Sequence, residues 1–211
     1  MSGEDHGLEG RTHDAARRHG LEHRRDLTAQ QRAAASARIV ERLLDLHELR
    51  SGGRLALYLA LPEEVDLGSA TAPLRVRGWH LHLPRVLPAG AGAARAPTTR
   101  EPAGLAFVEW QPAAQLAANR FGVAEVDGPE VPLAEMDAVI VPCVAVDRQG
   151  NRVGFGAGYY DRALAAAPEV PRIGVAFEVQ VLDAIDARPW DEPMDVVVTE
   201  DAVWRRSRLE P

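Results

Sequence analysis

The segment that most limits how this chain can fold is MDAVIVPCVAVDRQGNRVGFGAGYYDRAL, residues 136–164. Residues 136–147 are almost continuously apolar, the pattern of a strand buried on both faces. Asp147-Arg148-Gln149-Gly150 stops that strand with turn chemistry. Gly154, Gly156 and Gly158 then recur at alternate positions, and an alanine-rich stretch reads as a helix from Gly158 to Ala167. A buried strand, a glycine loop and a helix in that order call for a layered α/β fold.

The rest of the chain agrees. Residues 54–61, 79–84, 172–177 and 195–200 read as strands, residues 105–110 as a weaker one, and residues 179–185 as a short helix. Thr28, with Gln31 three residues on, forms a capping box. It opens a helix that places Ile39, Leu43 and Leu46 on one face and is expected to end at Gly52-Gly53. We therefore predict a single α/β domain over residues 16–205, with a mostly parallel central sheet flanked by helices. Residues 1–15 are expected to be a disordered lead-in, 86–104 a mobile surface loop rich in Ala, Pro and Gly, and 206–211 a tail.

Composition narrows the function. The formal net charge of −7 argues against a nucleic-acid surface. No apolar run approaches the ~18–20 residues of a membrane span, and the polar N-terminus lacks the apolar core of a signal peptide. Cys143 is the only cysteine, so no disulfide joins two parts of the chain and nothing points to an oxidising compartment. A cytoplasmic protein is expected, as a monomer with a dimer as the alternative. All 24 basic residues are arginine, so a few local guanidiniums can still hold a small anion.

The glycine loop is the place for such an anion. Glycines let a backbone approach a phosphate closely, and Arg152 offers a planar fork that stays charged. The loop is neither a P-loop, which ends in Gly-Lys-Ser/Thr, nor a dinucleotide loop, which needs glycine where Tyr159 stands. A tight glycine turn between strand and helix, with two exposed tyrosines, is the other reading. His19 with His23, and His80 with His82, have chelating spacings without an evident third ligand. Cys143 reads as a small buried apolar residue rather than a nucleophile. Tyr58, Trp110 and Phe155 could wall a flat ring, but each is more often core than ligand.

GNRVGFGAGYYDRAL resembles the signature of the 5-formyltetrahydrofolate cyclo-ligases (5,10-methenyltetrahydrofolate synthetases), which reads close to G-x-R-L-G-x-G-x-G-Y-Y-D-R-x-L. The resemblance extends to HRRDLTAQQRAAASARIVERLL, ALYLALPEEVD, FVEWQP, NRFGVAEV, MDAVIVPCVAVD and DEPMDVVVTED, in the family's order, and covers residues 17–201. It implies ATP- and Mg²⁺-dependent conversion of 5-formyltetrahydrofolate to 5,10-methenyltetrahydrofolate, with release of ADP and phosphate. Phosphorylation of the formyl oxygen would precede ring closure by N10.

Carried over by position, the resemblance implies that ATP is held by His13, Arg17, Arg152, Val153, Gly154, Phe155, Gly156, Ala157, Gly158, Tyr159 and Tyr160. Arg152 and Tyr159 would be catalytic. The folate would be bound by Leu59, Glu64, Phe155, Gly156, Ala157, Gly158 and Tyr159, and Mg²⁺ by Asp161 and Asp195. His13 stands where the family has an ATP-contacting lysine, Trp190 where it tends to have His, and Ala124 where it tends to have Pro. These departures leave a second expectation, a non-catalytic folate or nucleotide binder that has lost its N-terminal phosphate contact.

Overall fold

The computed structural model describes residues 11–87, 104–119 and 122–206. Among these described residues there are four helices, α1 (His13–Asp26), α2 (Ala29–Asp45), α3 (Thr71–Val76) and α4 (Tyr159–Ala165). Thirteen strands accompany them. The first six are β1 (Gly53–Ala56), β2 (Trp79–Val86), β3 (Leu105–Glu109), β4 (Leu116–Ala118), β5 (Ala124–Val126) and β6 (Glu130–Val131). Then follow β7 (Ala138–Pro142), β8 (Ala145–Asp147), β9 (Arg152–Val153), β10 (Arg172–Val175), β11 (Val181–Leu182), β12 (Val196–Val198) and β13 (Val203–Arg205).

The main sheet has the order β13-β12-β10-β7-β1-β2-β3-β6. Its five central strands, from β12 to β2, are parallel, and β13, β3 and β6 add antiparallel edges. Side chains alternate across it with the period of two that a strand imposes. Leu55, Leu57 and Ile140 face the core shared with Ile39, Leu43 and Leu74 of α2 and α3. Ala56, Val139 and Val141 face the opposite core, with Leu164 of α4 and Met194. Apolar residues on both faces explain why these strands read as unbroken runs.

A small second sheet, β11-β8-β9, stands beside the first and carries the glycine loop. Ala16 of α1 packs on it with Ala145, Val153, Leu182 and Ile185. Gly20 lets α1 come this close, since a Cβ there would overlap the Val144 carbonyl.

Several expectations need correction. Residues 136–147 are not one strand: the run breaks at Cys143-Val144, and β8 leaves the main sheet to pair with β9 and β11. The loop therefore follows a short return strand. The capped helix stops at Asp45, where Leu46 turns extended at ψ 135° and a 3₁₀ turn, His47–Leu49, fills the gap to Gly52. Residues 179–185 do not form a helix. A 3₁₀ turn, Glu178–Gln180, leads into β11 because Gln180 donates to the carbonyls of Cys143 and Val144 and draws the chain against β8. Residues 11–15 are not disordered: Arg11 bridges to Ile185, and Thr12 caps α1 through the Ala15 amide. Of the expected surface loop and tail, residues 88–103 and 207–211 lie outside the described residues, as do 1–10 of the lead-in.

Candidate active site

The turn that follows β1 and the glycine loop that follows β9 meet at the C-terminal ends of β7 and β10, with α1 lying across both. Arg17 and Arg24 are seven positions apart on α1, about two turns, so they fall on one face. Arg17 donates from Nε to the Gly154 carbonyl at 2.9 Å and pairs with Asp14 at 2.7 Å. Gly156, at φ +100°, lies under the same guanidinium: a Cβ there would come within 3.3 Å of Arg17 Nη2. Phe155, Gly156 and Ala157 are exposed at the loop's tip, while Gly154 and Gly158 are half-buried. Gly158, at φ +66°, ends the loop and starts α4, whose first residue Tyr159 carries Arg162 over its ring at 5.4 Å.

Arg152 is turned inward. Its side chain is 3 % exposed and donates from Nη2 to Asp161 Oδ1 at 2.6 Å, its Cζ lies 5.7 Å from the Tyr160 ring centre, and its Nε has no partner. Val153 is buried in the small sheet. Asp161 is half-buried in the first turn of α4, one of its oxygens facing Arg152.

On the other side of the cleft, Tyr58 is buried and donates from its hydroxyl to the Val65 carbonyl, which pins the intervening turn. Glu63 adopts φ +71°, a costly conformation for a residue with a side chain. This turn sends Glu63 out towards Arg25, at 3.4 Å, while Glu64 accepts the Leu61 amide at 2.9 Å and lines a small cleft. Arg24, Tyr58, Pro142, Cys143 and Gln180 line it too. Burial pushes the Glu64 carboxyl up, against the Leu61 amide and the Arg24 charge, which pull it down. Leu59 is half-buried against the adjoining core. Burial also raises the hydroxyls of Tyr58 and Tyr160 and takes the Cys143 thiol up to about 11, so all three are neutral.

Two expected residues stand elsewhere. His13 is buried, with Nε2 at 3.0 Å from the Asp186 carbonyl and 2.9 Å from Asp191 Oδ2, so it anchors α1 to Asp186 and to the partly buried Asp191 that follows the exposed Trp190. Asp195 lies at the N-terminal ends of β10 and β12, the edge opposite the cleft, where its Oδ2 accepts the Arg172 amide at 2.9 Å. The His19 and His23 rings stack at 3.8 Å. His80 pairs with Glu109 at 3.0 Å, and His82 donates from Nδ1 to the His80 carbonyl. No cluster of three or more His, Cys, Asp or Glu able to hold a metal is found among the described residues.

Arg24 escaped the sequence reading. In EHRRD it looks like Arg25, yet its side chain is 6 % exposed against 62 % for its neighbour. Gln180 was read as a helix residue. Trp110 lies under Arg75 at 5.2 Å, away from the cleft lining, and Tyr58 is core with a structural hydrogen bond.

The family model described as "5-formyltetrahydrofolate cyclo-ligase family" matches residues 10–200. The 5-formyltetrahydrofolate cyclo-ligase of Escherichia coli (strain K12) is 29 % identical over 186 residues, covering 86 % of this chain and 96 % of that protein. The solution structure of Aquifex aeolicus 5,10-methenyltetrahydrofolate synthetase superimposes with a TM-score of 0.75 at 30 % identity, covering 94 % of this chain and 95 % of the other. The Mycoplasma pneumoniae 5,10-methenyltetrahydrofolate synthetase shares the fold, with a TM-score of 0.67 at 22 % identity over 89 % of this chain and 98 % of the other. No helix of the described residues is long and apolar enough to cross a membrane.

Proposed function

Because this chain belongs to the 5-formyltetrahydrofolate cyclo-ligase family and is a ligase, we propose that it closes 5-formyltetrahydrofolate to 5,10-methenyltetrahydrofolate at the expense of ATP in the cytoplasm, with a monomer as the working unit. The observation that carries this reading is the meeting of the Glu64 turn and the glycine loop under one helix. A flat, hydrogen-bonding heterocycle and a polyphosphate would then lie end to end.

The chemistry fits those two halves. A formamide is a poor electrophile. Its oxygen attacks the γ-phosphorus, the bond to the β-bridging oxygen breaks, and ADP leaves. N10 then attacks the formyl carbon, the C–O bond breaks to release phosphate, and the N10 proton passes to phosphate or solvent. Such transfers need positioning and charge neutralisation more than covalent help from the protein.

Glu64 would accept the paired N–H groups of the pterin, a bidentate charge-assisted contact. Leu59 and Phe155 would give it apolar walls, with the loop from Gly156 to Tyr159 closing over the formyl end. The backbone from Val153 to Tyr160 would cradle the phosphates, Arg17 would neutralise them, Tyr159 would face the transferring group, and Arg152, turned inward, would reach it only by leaving Asp161 when the nucleotide binds. His13 would act by holding α1, and hence Arg17, in place.

A magnesium ion would neutralise the phosphates. It takes one or two carboxylates together with phosphate oxygens and water, so a large acidic cluster is not required. Asp161, half-exposed beside the loop, has the hard oxygen donors for it. Asp195 was the second expected ligand, but its place at the N-terminal ends of β10 and β12, opposite the cleft, leaves it out of this proposed set.

The reading of the chemistry is tested with substrate labelled with ¹⁸O in the formyl group. The label is expected in the released phosphate. Label found in water would mean that the formyl oxygen is never phosphorylated.

A further inference from the structure

Arg24 is an expensive residue to keep where it is. Its side chain is 6 % exposed, and its Nε is buried with no hydrogen-bond partner. Burial pulls its proton affinity down, and the charges of Glu64 and Glu63 oppose that. The nearest carboxylate oxygen, Glu63 Oε2, is 3.9 Å from Nε, beyond hydrogen-bond range, and Glu63 is closer to Arg25. A buried guanidinium without a bonded carboxylate costs stability. Among the described residues its Nε makes no hydrogen bond that would fix it in the fold.

What it faces is the proposed folate half of the site. The Phe155 ring, exposed at the tip of the glycine loop, lies under Cζ at 5.4 Å. Glu64 lines the same cleft, and Arg24 is the cation that acts on its carboxylate. The other groups around Glu64 are the hydroxyls of Tyr58 and Tyr160 and the Cys143 thiol, all kept neutral by burial. Glu63 on its own turn is paired to Arg25, and Arg152 on β9 to Asp161.

We propose that Arg24 is a positioning residue for the folate: it keeps the Glu64 carboxylate ionised and aimed into the cleft while supporting the Phe155 ring that closes over the bound pterin. The proposal rests on the cyclo-ligase reading for the identity of the ligand. It goes beyond that reading by giving α1 a role in each half of the site, Arg17 on the nucleotide loop and Arg24 on the folate acid. A carboxylate in a half-buried cleft is pushed towards its neutral form, and a neutral acid cannot accept two N–H bonds. A fixed cation beside it holds off that neutralisation.

The test is a double-mutant cycle of wild type, Arg24→Gln, Glu64→Gln and the double variant, with Arg24→Lys as the charge-conserving control. Binding of 5-formyltetrahydrofolate is measured by calorimetry without ATP, from acidic to alkaline pH. Arg24→Gln is expected to weaken folate binding about tenfold or more in the wild-type background, and less than about twofold when Glu64 is already Gln. The acidic limb of the binding profile should move to higher pH in Arg24→Gln and stay near wild type in Arg24→Lys. ATP affinity should hold within about twofold, and the melting temperature should change little, since the burial cost of the guanidinium is removed while the compensation of Glu64 is lost. Equal losses in both backgrounds, an unmoved acidic limb, or a fall in melting temperature with loss of both ligands would overturn the proposal. The titration needs no turnover, so a wild type that binds folate but forms no product would sink the cyclo-ligase reading and leave Arg24 to be judged separately.

Discussion

Arg17 and Gly154 stand 137 residues apart in the chain and are joined by a 2.9 Å hydrogen bond from guanidinium to carbonyl. The bond pulls the N-terminal helix onto the glycine loop and leaves a cation over the loop's exposed tip. His13, one turn earlier, secures the start of that helix to Asp191 and the Asp186 carbonyl.

Arg17→Ala should therefore act on the nucleotide. A charge-assisted contact is worth about 1.5–3 kcal/mol, so the Michaelis constant for ATP should rise about tenfold or more, with that for folate within about twofold. Gly156→Ala should produce the same bias by another route, because the φ of +100° is strained for alanine and the new Cβ crowds Arg17. Steady-state kinetics with each substrate varied in turn checks both. Equal increases for the two substrates would contradict the assignment of α1 to ATP.

Glu64→Gln should separate stability from function. Burial raises the folded-state pKa of Glu64. Above that folded value the group is ionised both folded and unfolded, and ionisation costs more in the folded protein. Below the unfolded value it is neutral in both states and the penalty is gone. The variant should thus melt higher than wild type at neutral pH, the advantage fading as the medium becomes acidic, while folate binding falls at neutral pH. A melting temperature lowered at neutral pH would show that Glu64 is held by bonds stronger than its burial penalty.

Legibility in the sequence followed the range of the interactions. The capping box of Thr28 and Gln31 is a local device and was readable. So were the central strands, whose apolar residues fill both sheet faces. The break at Cys143-Val144 was not, because apolar residues continue through it and only the pairing of β8 with β9 and β11 reveals it. α1 was hidden by its polarity: it is rich in arginine and histidine and packs on the small sheet through little more than Ala16 and Gly20. In the site, the glycine loop and Glu64 stood out through the family resemblance. Arg24 was indistinguishable from Arg25 because its burial depends on the distant Glu63 turn and Phe155. The inward turn of Arg152 towards Asp161 was likewise invisible, since the spacing does not say which partner the guanidinium chooses.

Asp161→Asn tests the metal expectation. The change leaves an oxygen for Arg152 but removes the negative charge offered to a cation. The Mg²⁺ concentration needed for half-maximal turnover should rise about tenfold, with folate binding in the absence of ATP unchanged. An unaltered Mg²⁺ dependence would make Asp161 a partner of Arg152 alone.

Cys143 should be a spectator. It is 5 % exposed, its thiol is pushed up to about 11 by burial, and it packs by Met194 and Gly174. The thiolate is the reactive form, so alkylation should be slow in the native protein and fast after denaturation, and Cys143→Ala should keep turnover within about twofold. Rapid native alkylation coupled to loss of activity would mean that the cleft opens to expose it.

The central claim is that the Glu64 turn and the glycine loop bind folate and ATP for one coupled reaction. The most direct measurement follows the absorbance of the methenyl product when purified protein meets 5-formyltetrahydrofolate. Absorbance should develop only with ATP and Mg²⁺ both present, with one ADP formed for each methenyl group. Saturable binding of folate and ATP with no absorbance change would contradict the account and leave a binding protein on the cyclo-ligase fold.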